Sequence, residues 1–250
     1  MSRLFSIFCS SLMLLGMLPS QMLWAQASGL TVQEQVERHL MRFEFQRAQN
    51  LLPDFGTPAY AAYYKLNLHT YRYLAGMEEK DARSIRKIWD DEVQAIEAMS
   101  LEQPLRNVML AEVHCKRAII EFLGKNYLTS IRLARVGRKY ALQNQKRFPE
   151  NVEQEKVLGI FNIVLSAIPK KYHWITETLG YRGDQAKGIS QLVNAGKAGK
   201  LLPFESDLLM CFVEKNVLDQ TQTALTRMEQ MRKEKGDILL LDYVLAAGYM

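Results

Sequence analysis

The chain has 250 residues, of which 48% are hydrophobic and 24% are charged, and its formal net charge is +5 at neutral pH. This length is sufficient for one ordinary domain with a buried core. The excess of basic residues is small, so the charge gives no reason to expect a nucleic-acid-binding protein.

The first 27 residues have the features of a secretory signal peptide. Arg3 precedes an apolar run, and residues 25–27 (Ala-Gln-Ala) form the small-x-small pattern at which signal peptidase cleaves. An uncleaved anchor is the alternative, because residues 4–24 are long enough to span a bilayer, but serines and a proline interrupt this run. We therefore expect cleavage, a mature chain of 28–250, and a location in the periplasm or cell envelope if the protein is bacterial.

Nearly every later segment has apolar residues at helical spacing, and no segment shows sustained strand alternation. Helices joined by connections of a few residues pack antiparallel to their neighbours, so we predict one all-α domain. The predicted helices, in chain order, are 32–52, 60–75, 85–96 with Asp81 as its cap, 105–123, 127–147, 153–168, 169–179, 184–198, 205–218, 221–235 and 238–249.

Two pieces of the chain are similar to helical-repeat units. In residues 108–144 one helix ends at Gly124, and the small residues Ser130, Ala134 and Gly137 recur along the next helix. Small side chains at these positions let paired helices approach closely, as in tetratricopeptide-like hairpins. Residues 63–89 are a weaker copy. The sequence therefore predicts a short α-solenoid of tetratricopeptide-like hairpins.

Residues 161–192 combine an apolar stretch, a proline, an amphipathic stretch and a glycine-rich turn. A membrane hairpin is excluded because the apolar run 157–168 is well short of the roughly 20 residues that span a bilayer. A phosphate-binding loop is excluded because no strand precedes the glycines and no Gly-Lys-Ser/Thr follows them. The Arg-Gly-Asp tripeptide in this stretch is too short to indicate an adhesion site. We predict a structural corner between helices, formed by Pro169, Gly180, Gly183, Asp184 and Gly188.

The same region resembles a known family over residues 157–196. It contains Gly-x-Phe-Asn from Gly159, Ser-x-x-Pro from Ser166, Leu-Gly-aromatic-x-Gly-Asp from Leu179 and Gly-Ile-x-x-Leu from Gly188. This order of motifs resembles the family of the tetratricopeptide repeat protein thirty-nine group and the fungal inclusion-body clearance proteins. The resemblance implies a helical solenoid without known catalytic machinery. Its eukaryotic members are intracellular and are linked to lipid droplets or aggregates, whereas this chain carries a predicted export signal.

The sequence predicts neither a metal site nor a catalytic site. The four histidines lie on separate predicted helices without a second ligand three or four residues away. No Ser-His-Asp order, Cys-His order or carboxylate pair stands out, so we expect a protein without enzymatic activity or cofactor. Cys115 and Cys211 lie in apolar helical contexts, which favours buried free thiols over a disulfide.

Two sets of residues are candidates for binding. A basic row on the predicted helix 127–147 would suit anionic lipid headgroups or an acidic peptide, although such charge runs are more often a solvated surface. Tyrosines on the predicted helix 60–75 would line a peptide groove, or, as is more frequent, belong to the core. The basic row consists of Arg132, Arg135, Arg138 and Lys139, and the tyrosine set consists of Tyr60, Tyr64 and Tyr71.

The last predicted helix, 238–249, is apolar on nearly all sides and must be covered on more than one side. It would tuck inward, join a partner or a second copy, or indicate a shortened version of a longer repeat protein. The leading hypothesis is an exported, non-catalytic helical-repeat scaffold that binds another protein or peptide in the cell envelope. The alternative is a lipid-handling helical protein that binds anionic lipid through the basic row.

Overall fold

The computed structural model describes residues 30–76, 82–100, 102–167, 183–236 and 239. Within these ranges the chain is all-α, as predicted, with ten α-helices, one short 3₁₀ helix at Leu52–Asp54 and no β-strand. The helices are α1 (Val32–Met41), α2 (Phe45–Leu51), α3 (Pro58–Leu74), α4 (Ala82–Glu97), α5 (Arg106–Leu123), α6 (Tyr127–Arg147), α7 (Gln154–Ser166), α8 (Gln185–Ala198), α9 (Pro203–Asn216) and α10 (Thr221–Lys235).

The prediction of one helix over 32–52 is wrong, because the chain breaks between α1 and α2. Phe43 has a φ of 56°, a left-handed conformation that a helix cannot contain. The Glu44 N–H donates to the His39 carbonyl at 2.9 Å, which closes the turn. The rings of Phe43 and Phe45 pack with centroids 5.6 Å apart. The other predicted helices within the described residues agree with the structure to within a few residues.

Helices that follow one another along the chain pack together. Contacts join α3 to α4, α5 to α6, α7 to α8 and α9 to α10, and the first helix of each pair contacts the first helix of the next pair. The pair α5–α6 is closest at Gly137, where an added Cβ would lie 2.5 Å from Cys115 Sγ. The pair α7–α8 is closest at Gly159 and Gly188, where a Cβ on either glycine would meet the other's carbonyl oxygen.

Three of the predicted corner residues have local contacts that the structure shows. Asp184 caps α8, because its Oδ1 accepts from the Lys187 N–H at 2.9 Å. Gly188 permits the close approach of α7, since a Cβ there would lie 2.6 Å from the Gly159 carbonyl oxygen. Gly183 lies against the C-terminal end of α7, where a Cβ would overlap the backbone of Ser166. Pro169, Gly180 and the predicted helix 169–179 lie outside the described residues.

The main core joins the N-terminal helices to a segment far along the chain. Val36 and Leu40 of α1 belong to the same cluster as Leu201, Leu202 and Phe204 at the start of α9. Leu202 has a φ of 47° and begins α9 in a left-handed conformation, with its N–H donating to Glu37 at 3.2 Å. The helix stack therefore brings α1 and the start of α9 together around one core.

None of the helices in the described ranges is both long and apolar enough to cross a membrane. The predicted signal peptide, residues 1–27, lies outside these ranges. Of the predicted helix 238–249, the structure describes Leu239 alone, which is helical and exposed.

Candidate functional site

The tyrosines predicted to line a peptide groove lie mainly inside the protein. Tyr64 and Tyr71 are buried. The Tyr64 hydroxyl donates to Glu37 Oε1 at 2.5 Å, and the Tyr71 hydroxyl donates to Glu205. Tyr60 is half-buried beside Phe55. Because the Tyr64 and Tyr71 hydroxyls are used internally, the peptide-groove prediction is wrong, and these two side chains belong to the core.

The hydroxyls of Tyr63 and Tyr71 donate to a cluster of buried charges that the sequence pattern did not reveal. Lys156 Nζ on α7 lies 2.9 Å from Glu112 Oε1 on α5 and 3.1 Å from Glu205 Oε2 on α9. Lys116 Nζ on α5 lies 2.6 Å from Glu205 Oε1. The Tyr63 hydroxyl donates to Glu112 Oε2 at 2.5 Å. We call Glu112, Lys116, Lys156 and Glu205 the buried ionic centre.

The buried ionic centre is electrically balanced, with two cations and two anions. Burial raises the pKa of Glu205, but the ammonium groups of Lys116 and Lys156 have a larger, opposite effect and lower this pKa to about 2. Burial lowers the pKa of Lys156, but Glu112 and Glu205 raise it above its usual value. Glu205 is therefore a carboxylate and Lys156 an ammonium at neutral pH. Because each is paired within the centre, the arrangement acts as a link between α5, α7 and α9.

Two further buried carboxylates hold the segment before α9. Glu153 accepts from the N–H groups of Lys200 and Leu201, and Glu37 accepts from the Leu202 N–H. Gln33 of α1 also donates to the Lys200 carbonyl at 2.5 Å. Burial raises the pKa of both Glu37 and Glu153. These bonds fasten residues 200–202 to α1 and α7.

The predicted basic row lies at the surface. Arg132, Arg135 and Lys139 are exposed along α6, Arg138 is half-buried, and Lys146 extends the row. Together with apolar neighbours on α6 they line a shallow depression of about 620 Å³. Within the described part of the chain, no carboxylate pairs with Arg132, Arg135, Lys139 or Lys146.

Glu153, which follows α6 in the sequence, does not neutralise this row. Glu153 is buried and binds backbone N–H groups at residues 200 and 201, away from the surface. Arg147, at the end of α6, pairs with Glu102 instead. The basic row therefore presents positive charge to the solvent.

A cluster of exposed apolar side chains lies at the turn between α5 and α6, next to the basic row. Leu128 is 86% exposed, and Phe122 and Ile131 are each 58% exposed. The rings of Phe122 and Tyr127 meet edge to face, with centroids 5.4 Å apart. We call this cluster the α5–α6 tip, which consists of Ile119, Phe122, Leu123, Tyr127, Leu128 and Ile131.

The turn that carries the α5–α6 tip is held by backbone hydrogen bonds. The Lys125 N–H donates to the Phe122 carbonyl at 2.9 Å, and the Asn126 N–H donates to the Glu121 carbonyl at 2.8 Å. The Asn126 side chain also donates to the Glu121 carboxylate at 2.8 Å. Lys125 has a φ of 63°, which costs energy for any residue with a Cβ. The turn therefore holds the apolar side chains in a fixed position around an exposed lysine.

No group of three or more histidine, cysteine, aspartate or glutamate side chains among the described residues has the geometry to hold a metal ion. Cys115 and Cys211 are free thiols, as predicted, and burial raises the pKa of each to about 12. His114 stacks on Tyr140, with ring centroids 5.7 Å apart.

No known protein family, curated protein or solved structure matches this chain.

Proposed function

We propose that this protein is an exported, non-catalytic binding scaffold of the cell envelope that recognises an anionic partner through the basic row of α6. The supporting observation is that Arg132, Arg135 and Lys139 are exposed on one helix without ion-pair partners among the described residues. Unpaired positive charge on a surface attracts an anionic partner and accelerates association. The apolar tip beside the row supplies contact area that charge alone does not.

A tetratricopeptide-like solenoid is part of this proposal. Its support is the packing of successive helix pairs from α3 to α10 and the glycines at the closest points of two of these pairs. In an open solenoid each repeat contacts only its neighbours. Here α1 and α3 also contact residues 201–205, so we propose a short solenoid with a closed inner side. The resemblance of residues 157–196 to the tetratricopeptide repeat protein thirty-nine family is consistent with this fold.

Two classes of partner suit the basic row. A protein or peptide is the partner in the leading hypothesis, but the buried side chains of Tyr64 and Tyr71 do not line a groove for it. An anionic lipid is the second candidate, and the specific observation in its favour is the position of the α5–α6 tip beside the row. A self-association through residues 238–250 is a separate proposal, and apart from Leu239 those residues lie outside the described ranges.

The proposal is tested with a charge reversal in the mature protein, residues 28–250. We expect Arg132→Glu together with Arg135→Glu to reduce the amount of the protein that binds to envelope extracts by at least about tenfold. Added salt should weaken the binding of the parent protein to the same extracts. The matched control is Lys187→Glu with Lys233→Glu, which changes the net charge equally at exposed sites on α8 and α10. Equal losses in both variants, or no loss in the first, would contradict a specific role for the row.

A further inference from the structure

The α5–α6 tip protrudes from the protein. Every residue from 122 to 128 is exposed, and these seven positions form the end of a helical hairpin. Large apolar side chains carry this exposure, with Leu128 at 86% and Leu123 at 52%. Contiguous exposed apolar groups of this kind mark an interaction site. A folded protein partner would need a cavity to receive the end of this hairpin, whereas lipid chains rearrange around an inserted tip.

Two cations lie beside the apolar part of the tip. Lys125 lies at the turn itself, and Arg132 is one residue beyond Ile131 along α6. Arg135 and Lys139 continue the same side of the helix away from the tip. Positive charge next to exposed apolar and aromatic side chains is the pattern of segments that lie in the interface of an anionic membrane.

The same charges disfavour a second copy of this chain as the occupant. If two tips met, Arg132 and Lys125 of one copy would approach their counterparts in the other. Like charges brought together at an interface are unfavourable and act against association. The surface therefore requires an occupant that is both negative and able to accept apolar side chains.

We infer that the anionic partner is a membrane surface, with the α5–α6 tip inserted among the lipids and the basic row of α6 in contact with anionic headgroups. This inference rests on the proposed function, because it names the partner of the same surface. Phe122, Leu123, Leu128 and Ile131 enter the boundary between headgroups and acyl chains, a depth of about 5–10 Å. Tyr127 stays at the headgroup level, where its hydroxyl remains hydrated. The Lys125 chain reaches back to the headgroups.

The test uses the mature protein and two kinds of vesicle, phosphatidylcholine alone and phosphatidylcholine mixed with phosphatidylglycerol. The tip variant is Leu128→Glu with Ile131→Glu. Its matched control is Val164→Glu with Phe212→Glu, which makes the same change of charge at two apolar residues, 50% and 54% exposed, on α7 and α9. Circular dichroism verifies that each variant keeps its helix content. We expect the parent to bind the mixed vesicles, the tip variant to bind at least about tenfold more weakly, and the control to change by less than about twofold.

A fluorescent reporter separates insertion from surface adsorption. In Leu128→Trp, the added tryptophan fluorescence should shift to shorter wavelength with the mixed vesicles and remain unshifted with phosphatidylcholine alone. One refuting result is that the tip variant binds the mixed vesicles as well as the parent does and that the fluorescence of Leu128→Trp does not shift. Insertion of the tip is then refuted, while binding through the basic row stands. If no vesicle binds while retention by envelope extracts still needs Arg132 and Arg135, the partner is an acidic protein, and the membrane inference is wrong.

Discussion

Replacing Lys156 with methionine removes one cation from the buried ionic centre and keeps a side chain of similar length. The Lys156 ammonium lies 2.9 Å from Glu112 and 3.1 Å from Glu205, and it donates to the Leu201 carbonyl at 2.8 Å. Lys156 is 4% exposed, so water cannot replace these contacts. The substitution would leave two buried carboxylates with Lys116 as the remaining cation of the centre.

We expect the free energy of unfolding to fall by about 3 kcal/mol at pH 7. Removing one partner of a buried ion pair costs about 3–5 kcal/mol, because the other charge stays buried without compensation. The lower end applies because Lys116 still lies 2.6 Å from Glu205 and 3.6 Å from Glu112. Urea unfolding measures the loss as a lower midpoint with an unchanged slope. The control Lys87→Met, at an exposed position of α4, should stay within about 0.5 kcal/mol of the parent.

The pH dependence gives a second measurement of the same interaction. Despite its burial, Glu205 has a pKa of about 2, below its usual 4.5, because Lys116 and Lys156 lie beside it. Its contribution to stability is therefore complete above pH 4.5 and is lost as the pH falls towards 2, a change of about 3 kcal/mol. Burial raises the pKa of Glu37 and Glu153, which acts in the opposite direction. The Lys156 charge lowers the pKa of both groups, so its removal strengthens this opposing effect in the variant.

Without Lys156 the pKa of Glu205 should rise, so the variant should lose less stability on acidification than the parent does. The difference between the two proteins should narrow as the pH falls from 4.5 towards 2. A constant difference across this range would show that the loss comes from packing. A variant as stable as the parent at pH 7 would refute the argument from charge burial altogether.

Three further substitutions test local features. Gly137→Ala should lower the melting temperature, because its Cβ would lie 2.5 Å from Cys115 Sγ. The cost of this crowding, about 1–3 kcal/mol, exceeds the gain in helix propensity. Gly56→Ala, where a Cβ would have no atom within 4 Å, is the control, and equal effects of the two substitutions would contradict the close approach at Gly137. Lys125→Gly should raise the free energy of unfolding by about 1 kcal/mol in urea, since glycine adopts positive φ without strain; no gain would mean that this φ is not costly. Thr31→Ala should lower it by about 1 kcal/mol and speed amide exchange at the start of α1, because the capping box is lost; unchanged exchange would argue against the cap.

Helix positions can be predicted from this sequence because apolar spacing is a local property. The predicted bounds of α6 and α10 agree with the structure, since each helix keeps its pattern from end to end. The prediction failed at 42–44 because the apolar pattern continues across the break. A single left-handed residue, Phe43, changes the chain direction without changing the period of the pattern.

The buried ionic centre could not be predicted, because its partners are far apart in sequence. Glutamate and lysine are ordinarily surface residues. The contacts of Lys156 with Glu112 and Glu205 join residues more than 40 positions apart in the sequence. A faint signal exists, since Glu112 interrupts an apolar run and Lys156 immediately precedes one. An isolated charge inside or beside such a run is buried when an opposite charge can reach it.

The basic row and the α5–α6 tip also differ in how far they could be predicted from the sequence. The basic row could be predicted, because cations at helical spacing share a face in any helix. The exposure of Leu128 and Ile131 could not, because it depends on which side of α6 packs against α5. That side is marked by the buried residues Ser130, Gly137 and Ala141. Small residues therefore indicate the packed side of α6, and Leu128 and Ile131 fall outside it.

The buried contacts between the first helices of the pairs limit where the proposed partner can bind. In an open solenoid the inner helices present a concave surface to ligands. Here the first helices of four successive pairs direct Tyr63, Glu112, Lys156 and Glu205 towards one another. Side chains that satisfy each other in the interior are not available to a ligand. The recognition that we propose then uses the second helices of the pairs and the turns between helices, and α6 with the α5–α6 tip offers both unpaired charge and exposed apolar area at such a position.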